Sequence, residues 1–124
     1  ITMKTLATIV FAFFFSAAAL FAVSAEKDNA VCDAGICVVE FNASFNAQNT
    51  VPWIEELNDC ATGRVDIASA PDLQKEHQIV VVPTIVVFNE GEEVKRFQAN
   101  IMMTMEATKD DVQDAIDEII LGDF

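Results

Sequence analysis

The residues best suited to chemistry in this 124-residue chain are its three cysteines. Cys32 and Cys37 flank an Asp-Ala-Gly sequence that favours a turn, and a tight turn can bring their Cα atoms within about 6 Å, as a disulfide requires. The pair is either a structural clip between an N-terminal arm and the first core strand, an unpaired reduced pair, or a redox pair or thiol sensor. The spacing matches no redox signature, which favours the first two interpretations. Cys60 is left over, and we expect a buried apolar cysteine there, with intermolecular pairing as the alternative.

Other candidates for chemistry are few. Met102, Met103 and Met105 carry soft thioethers that can bind Cu(I), but no His or Cys lies near them in sequence. We therefore interpret these methionines as core or as an adaptable contact surface. The single histidine, His77, has a packing or helix-end role in this interpretation. The sequence contains no phosphate-binding loop, no Ser-His-Asp set and no metal-ligand spacing, so we expect no cofactor and no metal.

Charge narrows the range of partners. The chain has 20 acidic and 7 basic residues, a net charge of −13. A surface this acidic repels nucleic acid phosphates and anionic lipids, so we exclude nucleic acid binding. It is typical of a soluble protein or of one with a basic partner.

The first 25 residues resemble a secretory signal peptide. An apolar run follows Lys4, and Val23-Ser24-Ala25 supplies the small residues that a signal peptidase requires. The alternative is an uncleaved membrane anchor, because about 18 apolar residues just span a bilayer. We predict cleavage after Ala25, export to the periplasm or the extracellular space, and no membrane attachment afterwards. Residues 26–36 then form an N-terminal arm, and residues 37–124 form one domain.

Hydrophobic patterning predicts the element order β-α-β-α-β-β-α. The expected strands cover residues 37–43, 64–68, 84–88 and 93–98, and the expected helices cover residues 51–60, 70–77 and a segment from Thr108 onward. Gly63 is expected to end the first helix. Strand pairing should begin just after Pro83, since proline is poorly tolerated inside a central strand. This order predicts an α/β fold with a mixed central sheet and helices on both faces.

Three segments resemble the thioredoxin superfamily. VVEFNASFNAQN at Val38–Asn49 is similar to the strand and loop that carry the family's two redox cysteines. VVPTIVVF at Val81–Phe88 resembles the strand that a cis-proline opens, and NEGEEVKRF at Asn89–Phe97 resembles the hairpin after it. The resemblance implies a thioredoxin-like fold across nearly all of the chain beyond the predicted signal peptide.

The resemblance also shows where the chain departs from the family. Asn46 and Asn49 stand at the two redox cysteine positions, and Phe45 replaces the tryptophan before them. Asparagine has no thiolate, so this site cannot exchange disulfides. Glu40 aligns with the family's buried acid, and burial would raise its pKa. We interpret Glu40 as a hydrogen-bonded partner of a buried polar group, with proton transfer as the alternative.

The family's cis-proline aligns with Pro83, and the residue before it offers backbone groups to an extended peptide. The resemblance therefore implies a peptide-binding position at Val82 and Pro83, whereas the alternative is that Pro83 only shapes the fold. We predict an exported, non-catalytic thioredoxin-like protein that binds a peptide or another protein, or acts as a chaperone-like module. The alternative function is a thiol-disulfide oxidoreductase or redox sensor that uses Cys32 and Cys37. A third interpretation is a subunit of a larger assembly.

Overall fold

The computed structural model describes residues 31–122, so the predicted signal peptide and the first part of the arm lie outside the described residues. The strands are β1 Ile36–Asn42, β2 Ala61–Asp66, β3 Thr84–Asn89 and β4 Glu92–Gln98; the α-helices are α1 Pro71–Glu76 and α2 Lys109–Gly122; and two 3-10 helices cover Ser44–Asn49 and Ile54–Glu56. Within this described part, none of the helices has the length and apolarity that crossing a bilayer requires.

The four strands form one mixed sheet in the order β2-β1-β3-β4. β1 runs parallel to β2 and antiparallel to β3, and β3 pairs antiparallel with β4. The two central strands carry the β-branched and aromatic runs of the sequence, and their residues are almost all buried. The predicted α/β fold class with a mixed central sheet is therefore confirmed.

The core lies on both faces of this sheet because successive side chains of a strand point to opposite sides. From β1, Val38 enters one cluster with Val112 and Ile116 of α2. Phe41 enters the other cluster with Ile67 and Ile79, which flank α1 in sequence. Both faces of the two central strands are therefore covered by apolar side chains.

The predicted α-helix over residues 51–60 is wrong. The structure has one 3-10 turn there, Ile54–Glu56, and Leu57 returns to extended backbone at φ −69° and ψ 148°. Asp59 then takes a left-handed conformation with φ 67°. The Val51 N–H donates to a Glu40 carboxylate oxygen over 2.9 Å, a tertiary contact that fixes the backbone just before this turn. The apolar periodicity still placed Ile54 in the core.

The elements on both sides of that segment also differ from the prediction. Gly63, expected to end the helix, lies inside β2, which starts at Ala61 rather than Arg64. Residues 44–49, expected to be a loop, form the first 3-10 helix. β3 begins at Thr84, directly after Pro83 as predicted, and residues 79–82 before it form no strand.

A disulfide joins Cys32 and Cys37, whose Cα atoms lie 6.1 Å apart. Cys37 is buried at the start of β1, so the bond fastens the arm to the first core strand. The loop between the two cysteines also contacts the β3–β4 turn, because the Glu90 N–H donates to the Gly35 carbonyl over 2.9 Å. The disulfide and this hydrogen bond together fix one end of the sheet.

Candidate functional site

The candidate site lies beyond the carboxyl end of β1, where three loops meet around Asn46. This side chain is fully buried. Its Nδ2 donates to the Met103 carbonyl over 3.1 Å and to Asn42 Oδ1 over 3.2 Å, and the Val82 carbonyl lies 3.5 Å away. One amide thus connects the end of β1, the segment before Pro83 and the loop between β4 and α2.

Asn49 lies one turn further along the same 3-10 helix. Its Nδ2 donates to Asn46 Oδ1 over 2.8 Å, and Asn42 Nδ2 donates to the Asn46 carbonyl over 3.3 Å. The structure therefore brings the two predicted positions into direct contact. Neither amide ionises or acts as a nucleophile, and both amide atoms of Asn46 are engaged with protein groups.

The segment before β3 carries the next predicted residues. The Val82–Pro83 peptide bond is cis. The Pro83 carbonyl accepts from the Ala99 N–H over 3.1 Å, and Thr84 Oγ1 donates to the Val81 carbonyl over 2.7 Å. These contacts hold the segment on both sides, whereas the Val82 N–H donates to no acceptor among residues 31–122.

A groove of about 380 Å³ runs beside this segment. Val82 lines it together with Phe45, Val80, Ile101 and Met103. Phe45 is 69% exposed, Val80 77% and Ile101 97%. Five of the seven strongly exposed large apolar residues in the described part of the chain belong to the groove or, like Met102, adjoin it in sequence. We call these five residues the apolar rim: Phe45, Val80, Ile101, Met102 and Met103.

Hydrogen bonds hold the loop that carries three of the five rim residues, Ile101, Met102 and Met103. Asn100 Oδ1 accepts from the backbone N–H groups of Met102 over 2.9 Å and Thr104 over 3.1 Å. The Asn100 N–H in turn donates to the Thr104 carbonyl over 3.0 Å, and Met103 takes a left-handed φ of 59°. Ile101 and Met102 are exposed on a loop with defined backbone contacts.

The methionines divide between two surroundings. Met103 lines the groove, while Met105 packs against the core cluster below α2. The sequence analysis therefore singled out the exposed residues Met102 and Met103 but missed Val80 and Ile101. The signal for Ile101 was its place in three consecutive large apolar residues inside a connection between elements.

Glu40 is buried beneath the first 3-10 helix and pairs with Arg64, its register partner on β2. Arg64 also donates to the Val51 carbonyl over 2.9 Å and to Glu55 over 2.7 Å. Burial raises the pKa of Glu40 above 4.5, and the Val51 N–H and the Arg64 charge oppose that rise. The polar partner that the sequence analysis expected for Glu40 is therefore Arg64.

The cysteines lie apart from the groove. Cys37 is the second residue of β1 and Asn42 is the last, a separation of about 17 Å along a strand. Cys60 is half-buried against the core, and burial raises the pKa of its thiol. A raised pKa lowers the thiolate fraction and hence the reactivity of this cysteine.

His77 has the packing role that the sequence suggested. Its ring lies 5.3 Å from the ring of Phe41 and 5.4 Å from that of Phe88. Across residues 31–122, no group of three or more His, Cys, Asp or Glu side chains is placed to hold a metal ion.

Comparison with known proteins supports the fold alone. No protein-family profile and no curated protein sequence matches the chain. Among solved structures, a mutant thioredoxin from Halobacterium salinarum is similar with a TM-score of 0.59 and 24% identity over 76% of this chain and 82% of its own. Thioredoxin from Schistosoma mansoni gives a TM-score of 0.56 and 20% identity over 76% and 85%. A designed protein gives 0.56 and 21% over 76% and 87%. The predicted thioredoxin-like fold is therefore confirmed.

Proposed function

We propose that this protein is a non-catalytic binding module of thioredoxin-like fold, exported by the signal peptide predicted over residues 1–25. Its groove beside Pro83 takes an extended segment of a peptide or of another protein. The observation that carries this proposal is the apolar rim of a groove that Val82 also lines, and the Val82 N–H has no acceptor in the described chain.

The rim is the energetic basis for binding. Apolar surface removed from water contributes roughly 25 cal/mol per Å², and contiguous exposed apolar patches on soluble proteins commonly mark interaction sites. An extended segment could pair with the Val82 backbone as an added strand while its side chains cover Phe45 and Ile101. Since the loop of Ile101 already has defined hydrogen bonds, little ordering would be needed on binding.

The lack of catalysis in this proposal rests on Asn46 and Asn49. Disulfide exchange needs a thiolate that attacks sulfur, and an amide cannot supply one. The two side chains instead donate and accept hydrogen bonds that hold the loops around the groove.

The proposal is tested by panning a phage-displayed library of random dodecapeptides against the protein lacking residues 1–25. Enriched peptides are then synthesised with a fluorophore and titrated by anisotropy against wild type, Val80→Asp and Val94→Asp. Val80 is 77% exposed on the rim, and Val94 is 51% exposed on β4 and lines no part of the groove, so both changes should preserve the fold.

We expect enriched peptides whose affinity falls at least tenfold in Val80→Asp and less than twofold in Val94→Asp. Absence of any enriched peptide, or equal losses in the two variants, would overturn the proposal.

The alternative function is thiol-disulfide exchange by Cys32 and Cys37, which the observed bond between them supports. The protein would be equilibrated with redox buffers, alkylated and analysed by mass spectrometry. Reversible opening near about −200 mV, among the potentials of exchange catalysts, would favour this alternative. Resistance to reduction down to about −300 mV would assign the bond a structural role. Cys32→Ser should abolish any reductase activity yet leave peptide binding at the groove unchanged.

A further inference from the structure

We propose that the ligand of this groove is an apolar segment flanked by lysine or arginine, an inference that rests on the proposed function and names its partner class. The groove itself selects the apolar part. None of its lining residues carries a charged side chain, and Gln74 and Asn100 are the polar ones. A charged side chain inside the groove would lose its hydration without gaining an ionic partner.

Carboxylates stand directly beside the lining residues. Asp66 precedes Ile67 and is held by the N–H of Ala68 over 3.0 Å and by Ser69 Oγ over 3.3 Å. Glu106 accepts from Asn100 Nδ2 over 2.8 Å. Glu106 is therefore one hydrogen bond away from the groove residue Asn100. Asp66 is adjacent in sequence to the groove residue Ile67 and lines the next depression, which Arg64 also lines.

The cations of the described chain are fewer than its acids, and none of them lines the groove. Arg64 is paired with Glu40 and Glu55, and Lys109 is paired with Glu56. Lys95 lies 5.7 Å from the centre of the Phe97 ring.

Lys75 and Arg96 line a neighbouring depression that shares Gln74, Ile79 and Val80 with the groove. Arg96 is paired with Glu93, and the short helix that carries Lys75 also carries Asp72 and Glu76. Residues 31–122 as a whole hold 17 acidic and 5 basic side chains, so the described surface around the groove carries an excess of negative charge.

Charge also decides among the possible occupants. A second copy of the chain would bring another net charge of −13 against the same surface. An acidic peptide would meet Asp66 and Glu106 with like charge. A basic-flanked apolar segment satisfies both the rim and its surroundings, and long-range attraction would also accelerate its association.

The test uses three fluorescent peptides that share one apolar core taken from the enriched library sequences. Their flanks are two lysines, two serines or two glutamates on each side. Affinities are measured by anisotropy in 25 mM and 300 mM NaCl, since salt screens exposed charges. The variant is Asp66→Asn with Glu106→Gln, and the matched control is Asp114→Asn with Glu118→Gln on the exposed face of α2.

In 25 mM NaCl we expect the lysine-flanked peptide to bind about tenfold more tightly than the serine-flanked one, with the glutamate-flanked one weakest. The preference should shrink severalfold in 300 mM NaCl and in the Asp66/Glu106 variant, but not in the Asp114/Glu118 control. Equal binding of the three peptides would overturn this inference and leave the proposed function intact.

Failure of all three peptides to bind in a Val80-dependent manner would overturn the proposed function as well.

Sedimentation velocity tests whether a second copy of the chain occupies the groove instead. A wild-type dimer in 25 mM NaCl that Val80→Asp dissociates would assign the groove to a second copy and overturn the basic partner.

Discussion

Asn46 shows how one side chain can organise a site without reacting in it. Its amide lies within hydrogen-bond distance of carbonyls from two other loops and of the Asn49 side chain. A thiol at this position would offer one weak donor in place of two amide hydrogens and a carbonyl. The amide of Asn46 therefore connects the loops beside the groove through hydrogen bonds that a thiol could not make.

We predict that Asn46→Ala lowers the free energy of unfolding by about 1–3 kcal/mol, because buried partners of the amide lose their hydrogen bonds. Urea unfolding monitored by circular dichroism measures this loss. Asn58→Ala is the matched control, since Asn58 is exposed and its side chain makes no hydrogen bond in the described chain. The control should change the free energy by no more than about 0.5 kcal/mol, and equal effects in the two variants would contradict the role assigned to Asn46.

Glu40 predicts a pH dependence whose sign can be worked out. Burial raises its pKa in the folded state above 4.5, so the folded protein holds this proton more tightly than the unfolded chain does. The contribution to stability is fully present below about pH 4.5 and is lost as pH rises through the folded value. We expect the free energy of unfolding of wild type, minus that of Glu40→Gln, to fall with rising pH and then level off.

Glu55 supplies an internal contrast for that measurement. A hydrogen bond from Arg64 lowers its pKa, so its contribution is present above about pH 4.5 and is lost on acidification. The corresponding difference for Glu55→Gln should therefore have the opposite slope. A Glu40 difference that rises with pH would contradict the assigned direction.

At the scale of elements, the sequence predicted what depends on local pattern. Runs of β-branched residues located β1 and β3 to within a residue, and Pro83 marked where β3 begins. The helix expected over residues 51–60 is replaced by a 3-10 turn, after which Leu57 is extended and Asp59 is left-handed. The buried residues Val51, Ile54 and Leu57 recur every three residues, a spacing that a 3-10 turn satisfies as well as an α-helix does.

The sequence likewise predicted some residues of the candidate site and missed others. Resemblance to known motifs located Asn46, Asn49 and Val82, which the fold then brought together. Val80 and Ile101 were missed because an apolar residue in a sequence is expected inside the protein. Its exposure is settled only when the surrounding loops are placed.

The disulfide at the start of β1 gives a prediction for that element. Closing so short a loop restricts the unfolded chain modestly, so Cys32→Ala with Cys37→Ala should cost about 2 kcal/mol in the free energy of unfolding. Urea unfolding with and without a reducing agent measures this cost. The reductant should destabilise wild type by a similar amount and leave the double variant unchanged, whereas destabilisation of both would point to Cys60 or to another cause.

For the whole molecule, charge and apolar surface have opposing effects on self-association. The rim gathers exposed apolar residues at one groove, and such surface favours contact between copies. A net charge of −13 opposes that contact at neutral pH, because every approach of two copies is repulsive. The repulsion leaves the groove open to a partner of opposite charge.

This balance predicts association as the charge is neutralised. Sedimentation velocity should give a monomer at pH 7.4 in 25 mM NaCl and associated species near pH 4.1, the pI of the sequence. Ile101→Ser should reduce the association, because Ile101 is 97% exposed and lines the groove, while Leu121→Ser, at an exposed site on α2, should not. If both variants associate as wild type does, the copies contact each other through some other surface. That result would contradict the role assigned to the apolar rim in self-association.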